Sequence, residues 1–196
     1  PHLQTMEAVR GLEFATFEQG NADQVPVHAA TLPFTRNVFD PMDFTPLAMV
    51  KLNDRVQRRT RPAFELAQSV LFFSGIQHYA ETAEGMAQVP GYVRDFLAGL
   101  PEVWDDSRFL DGYPGQYAVF ARQGDGRWFV GGINAGPGPR KLILDADRLG
   151  GGVQRGLLVT DGGDAPGFAQ RRVEFAPGKP LELELPAAGG FVLQLD

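Results

Sequence analysis

The chain contains no cysteine, so neither a disulfide framework nor a zinc–thiolate site is open to it, while an oxidising compartment stays possible. No run approaches the roughly 20 apolar residues of a membrane span, and no membrane partner is expected. Basic residues are in the minority: 18 Lys and Arg stand against 24 Asp and Glu, for a formal net charge of −6. That argues against nucleic acid as a partner, which calls for a basic stripe. It suits a neutral substrate, or a cation held by carboxylates. There is no G-x-S-x-G, no P-loop and no H-E-x-x-H. The opening PHLQTMEAVRG has no initiating Met and lacks the basic start and apolar run of a signal peptide. It reads as an internal position of a longer protein.

What is present is the material of a globular protein. The 196 residues suffice for one large domain or two small ones, and 43% of them are hydrophobic against 21% charged. Fifteen Phe supply a sizeable core. The pattern changes near residue 101. Before it, helical signals and irregular loops dominate. RPAFELAQSVLFFSGIQHYA opens with Pro62, suited to a first helical turn. Phe64, Leu66, Ala67, Val70, Leu71, Phe73 and Ile76 are apolar on nearly every face, the mark of a buried helix. His78, at its end, reads as a packing residue. A shorter helix is expected from Tyr92 to Ala98, ended by Gly99 and Pro101.

After Pro101 the runs are strand-like: QYAVFAR, RWFVGGI, KLILD, VQRGLLV, RRVEF, LELEL and FVLQL, separated by Gly and Pro clusters. QGDG between the first two is a hairpin turn signal. LELEL alternates strictly, so one face is buried and the other wet. Short strands at this spacing suggest a β-sandwich.

Three regions hold residues with chemical potential. In EAVRGLE, Glu7 and Glu13 form a pair of carboxylates able to divide metal binding from proton transfer; on spacing alone, two solvated glutamates on a surface loop are the better fit, since acidic residues are mostly exposed. In VPVHAATLPFTRNVFDPMDFTP, His28, Arg36, Asp40 and Asp43 lie among Phe34, Phe39 and Phe44, as in a sugar site with apolar walls. The structural counterpart is that Asp43 and Thr45 cap turns and His28 is a satisfied, buried histidine. In WDDSRFLDGYPGQYAVFAR, Trp104, Asp105, Asp106 and Arg108 either bind sugar or join two parts of the chain, with Trp104 buried and Arg108 paired to a carboxylate.

Taken in order, EAVRGLEF, HAATLPFTRNVFDPMDFTP and WDDSRFLDGYPGQYAVFARQGDGRWFVGGIN resemble the C-terminal portion of glycoside hydrolase family 97. The likeness runs over nearly the whole chain and is strongest from Glu7 to Pro46 and from Trp104 to Asn134. It implies a multi-domain α/β plus all-β fold: the terminal part of a (β/α)8 barrel over residues 1–100, then a C-terminal antiparallel β-sandwich over 101–196. It implies hydrolysis of an α-glucoside or α-galactoside by the parent enzyme, calcium as cofactor, and a periplasmic or secreted location.

Matched to the family motif, Glu13 is the general acid and Glu7 a calcium ligand; His28 and Arg36 are candidates for substrate binding. The partner carboxylate and further calcium ligands fall upstream of Pro1. The implied partners are an oligosaccharide or other α-glycoside, the missing N-terminal part of the same protein, and a second copy through self-association, since part of a barrel leaves strand edges unpaired. The chain alone is expected to be inactive. Two positions depart from the family pattern: Val27 stands where many members carry Glu, and Asp40 where Gly is usual. The alternative reading is a non-catalytic carbohydrate-binding or structural β-sandwich module.

Overall fold

The computed structural model describes residues 9–162 and 167–196. Its first half is helical. A 3-10 turn, Leu12–Thr16, leads into α1 (Gln19–Ala29), α2 (Arg36–Phe39), α3 (Pro62–Leu71), α4 (Ala83–Gln88) and α5 (Gly91–Ala98). Among the described residues the second half has eight strands: β1 (Asp106–Tyr113), β2 (Tyr117–Gly124), β3 (Arg127–Asn134), β4 (Arg140–Leu144), β5 (Gln154–Asp161), β6 (Phe168–Phe175), β7 (Leu181–Leu185) and β8 (Gly190–Leu195).

The strands form an antiparallel sandwich. Six make one sheet in the order β1-β2-β3-β8-β5-β6, and β4 pairs with β7 in the other. The β2–β3 hairpin turns at Asp125 and Gly126, both at positive φ (51° and 74°), the pairing that matches strand twist. In β7, Leu181, Leu183 and Leu185 are buried while Glu182 and Glu184 face out, as the alternation requires.

The large sheet is covered on both faces. Val130, Leu158, Phe191, Leu193 and Leu195 point toward β4 and β7 and share a core with Leu142, Leu144, Leu183 and Leu185. Ala118, Phe129, Ile133, Val159 and Val192 point the other way and share a core with Phe64, Ala67, Leu71 and Phe96. Packing therefore crosses residue 101 without a break, and α3 serves as the lid of the sandwich. Two glycines permit this close approach. A methyl group on Gly190 would stand 2.6 Å from the Phe64 Cα and 2.7 Å from the Ala63 carbonyl oxygen, and one on Gly131 would stand 2.9 Å from the Ala67 carbonyl oxygen.

The expected sandwich is present; the expected barrel portion is not visible as such. Among the described residues before 101 there is no named strand, only helices, turns and extended segments. A barrel strand acquires its ladder from neighbours on both sides, and none is present among the described residues. The unpaired barrel edges expected to drive self-association are absent among the described residues for the same reason.

Four further differences concern single elements or residues. Helix α3 stops at Leu71 and does not run on through Phe73 and Ile76: Phe72 is already extended (φ −86°, ψ 117°). Helix α1 forms with Pro26 inside it, in a stretch the sequence presents as loop. Strand β1 escapes a pattern-based reading because it is an exposed, polar edge strand with a register shift between Phe109 and Asp111. His78 is exposed rather than packed.

Candidate functional site

Glu13 lies in the 3-10 turn Leu12–Thr16 and is partly buried. Its side chain folds back over the preceding backbone, so that a methyl group on Gly11 would lie 2.1 Å from Oε2 and 2.6 Å from Oε1. The turn is held from two sides. Thr16 Oγ1 donates to the Glu13 carbonyl oxygen at 2.6 Å, and the Leu12 amide donates to the Phe44 carbonyl oxygen at 3.2 Å.

Beside this turn is a pocket of about 40 Å³, with Arg10, Gly11, Phe14, Gln24, His28 and Phe44 among its walls. His28 comes from α1; its Nε2 shares a hydrogen bond of 3.0 Å with the Arg10 carbonyl oxygen. The imidazole lies nearly parallel to the Phe44 ring, with centroids 5.9 Å apart. Burial depresses its pKa below the usual 6.5, against the hydrogen bond to Arg10, which favours a neutral ring. The pocket is far below the roughly 300–1,000 Å³ of a small-molecule site. It is a small corner of the surface with room for water.

The segment after Phe44 is strained. Thr45 and Leu47, both non-glycine, hold φ of 59° and 73° on either side of Pro46. Asp43 Oδ1 is buried without a hydrogen-bond partner in the structure. Backbone strain and unsatisfied polar groups of this kind cluster at functional sites.

Not every candidate joins this corner. Glu13 adjoins the pocket in sequence without lining it. The Arg36 guanidinium donates to the carbonyl oxygens of Asp40 at 2.9 Å and Pro41 at 3.1 Å, bracing its own loop. Phe34 packs edge-on to Phe109 and Phe120 of the sandwich, and Phe39 is exposed. Trp104 sits edge-on to Phe129 at 5.6 Å. Arg108 pairs with Asp106 at 3.3 Å and covers the Trp128 ring at 4.3 Å. These contacts of Trp104, which is half-buried, and of Arg108 lie within the sandwich; across the halves the region reaches Phe34 through Phe109 and Phe120. Glu7 lies outside the described residues. Among the described residues no group of three or more His, Asp or Glu side chains is placed to hold a metal ion. Calcium takes 6–8 oxygen ligands, so these residues do not by themselves make a calcium site.

Sequence reasoning missed two charged residues between the halves, the buried Arg122 and the half-buried Asp161. Asp161 accepts the Ala63 amide at 2.9 Å and the Gly190 amide at 2.7 Å. Arg122 donates to the carbonyl oxygens of Val70 at 2.6 Å and Leu71 at 2.8 Å. These partners are 29 to 98 residues away, so no local signal announces them.

Residues 103–196 match a family profile described as "Glycosyl-hydrolase 97 C-terminal, oligomerisation". A probable retaining alpha-galactosidase from Streptomyces bingchenggensis is 42% identical over 97% of this chain and 28% of its own length. The chain belongs to glycoside hydrolase family 97. Two solved structures agree in fold with this family 97 chain. A beta-arabinopyranosidase superposes with a TM-score of 0.86 at 32% identity, over 97% of this chain and 31% of its own. A family 97 enzyme from Pseudoalteromonas sp. strain K8, in complex with acarbose, superposes with a TM-score of 0.81 at 26% identity, over 98% of this chain and 31% of its own. The chain thus spans less than a third of the length of these relatives.

Proposed function

We propose that the protein to which this chain belongs hydrolyses α-glycosidic bonds, with an α-galactoside as the preferred class and Glu13 as general acid. The observation that carries the reading is the 42% identity, over nearly the whole chain, to a probable retaining alpha-galactosidase. An acid at Glu13 protonates the leaving oxygen of the glycoside. In a retaining reaction a second carboxylate about 5–5.5 Å away attacks the anomeric carbon, and the acid then serves as base toward water. That partner carboxylate belongs to a part of the protein outside this chain, and so do the remaining walls of the sugar site, of which the small pocket at His28 and Phe44 is one corner. The chain alone is therefore inactive.

The same reading assigns residues 9–100 to the closing segment of a (β/α)8 barrel, completed by the rest of the protein. Calcium belongs to it as well, with Glu7 as one ligand and the others supplied from elsewhere; bound there, it would help hold substrate and carboxylates. Arg36 serves the substrate by shaping its loop, and His28 as a wall. An oligosaccharide partner is supported by the acarbose complex of a relative. Self-association through the sandwich is supported by the family's description. A periplasmic or secreted location completes the reading.

The deciding experiment is hydrolysis of p-nitrophenyl α-galactoside and α-glucoside by full-length protein, its Glu13→Gln variant and the 196-residue chain. The expected result is galactoside turnover by the full-length enzyme, a loss of about 10²–10⁴-fold in the variant, and none by the chain alone. A silent Glu13→Gln would leave the chain as a structural or sugar-binding sandwich module.

A further inference from the structure

Arg122 is on β2, in the sandwich, and is only 5% exposed. Besides its bonds to Val70 and Leu71, its third donor reaches Ser107 Oγ on β1 at 2.6 Å. Val70 and Leu71 close α3, where carbonyl groups have no partner within the helix and the dipole is negative. The guanidinium satisfies both oxygens and fixes where the helix ends.

From that end the chain leads directly into the candidate site. Phe72 follows Leu71, and its ring packs edge-on to Phe44 with centroids 4.7 Å apart. The Phe44 carbonyl oxygen accepts the amide of Leu12, the neighbour of Glu13; its ring lies against His28. Phe73, with Arg122 5.3 Å above its ring, is anchored on the other side. Its amide donates to Asn37 Oδ1 at 3.0 Å, and its carbonyl oxygen accepts from Asn37 Nδ2 at 3.0 Å and from the Met42 amide at 3.0 Å. The loop carrying Phe44 is thus fixed by the last residues of α3, and those residues are fixed by the sandwich.

We infer that Arg122 is a positioning residue for Glu13 and His28, through Phe72 and Phe44, so that the sandwich sets the placement of the catalytic turn. The catalytic consequence rests on the hydrolase reading; the structural coupling does not. A displacement near 1 Å at a reacting group costs on the order of 10²-fold in rate, so a small shift of this strut reaches the chemistry.

The test uses Arg122→Lys, Arg122→Met and the milder Ser107→Ala, an exposed position that removes one of the three bonds. In full-length enzyme, kcat is expected to fall by roughly 10–100-fold in Arg122→Met. Arg122→Lys recovers part of that loss, Ser107→Ala shows a smaller loss, and KM changes little. In the 196-residue chain, the His28 imidazole resonances are expected to shift in each variant. Folded Arg122→Lys and Ser107→Ala proteins with wild-type kcat and unmoved His28 resonances would overturn the inference, whether or not Arg122→Met folds. If full-length wild type turns over no α-glycoside, the hydrolase reading fails and the His28 resonances alone decide the coupling.

Discussion

Asp161 and Arg122 stand at opposite ends of α3, an anion at its N-terminus and a cation at its C-terminus, both projected from the sandwich. Each sign complements the end of the helix dipole it faces. The helix is therefore held by charge at its ends and by apolar contact along its length. Replacing Asp161 with Ala leaves the Ala63 and Gly190 amides without their acceptor. Urea unfolding is expected to show a loss of about 2–4 kcal/mol, because each buried donor left unpaired costs about 1–3 kcal/mol.

The glycine contacts under α3 give a second expectation. Gly190→Ala forces a methyl group against the Phe64 and Ala63 backbone, which cannot yield as a flexible side chain does. A loss of about 1–3 kcal/mol is expected by urea denaturation, the usual cost of overpacking.

Gly11→Ala is expected to act differently. Its backbone is extended (φ −75°, ψ 176°) and accepts any residue, while the new methyl meets only the Glu13 carboxylate among its three nearest atoms. The carboxylate must swing away. Full-length enzyme should lose activity by as much as about 10²-fold, with an unfolding midpoint close to wild type.

Stability should depend on pH in two opposing ways. Burial raises the Asp161 pKa from 3.8 to about 6, outweighing its two amide hydrogen bonds and the nearby Arg61 and Arg58. Burial also raises that of Glu65, which accepts from Thr60 and Ala48 inside the core. For such groups the unfolded chain ionises first, so their contribution is full below the unfolded pKa and is lost as pH rises through the folded one. The melting temperature is expected to decline across that interval, and less steeply in Asp161→Asn. His28 has the opposite sign: its pKa is depressed, so its contribution is present above 6.5 and is lost as pH falls through the folded value. NMR titration of the imidazole checks that direction.

Much of the sandwich was legible because its signals are local. Asp125-Gly126 between apolar runs specifies a hairpin, LELEL specifies one wet face, and Pro62 opens a helix, all within a few residues. What escaped depends on distant partners. Nothing near Leu71 says that α3 must stop there; the guanidinium that meets its carbonyls is 51 residues further on. That Arg36 braces its own loop, bonding the Asp40 and Pro41 carbonyls, is a matter of loop geometry that its residue type does not announce. At the candidate site the motif gave Glu13 and His28, but not that Phe44 would tie them together by its carbonyl group and its ring. The barrel reading came from family likeness, and strands that need absent neighbours do not declare themselves in this chain alone.

Deleting residues 1–102 should expose the Phe129, Ile133, Val159 and Val192 face that α3 now covers. The isolated 103–196 piece is expected to bind a hydrophobic dye and melt well below the 196-residue chain.

Because Gly131 and Gly190 bring the helix backbone directly onto the sheet, helix and sheet form one inheritable unit. A recombination seam placed at residue 101 would separate a surface from its mould. Chimeras between relatives should therefore be viable when joined ahead of Pro62, with helix and strands drawn from the same parent, and should fail when joined at the point where the composition changes.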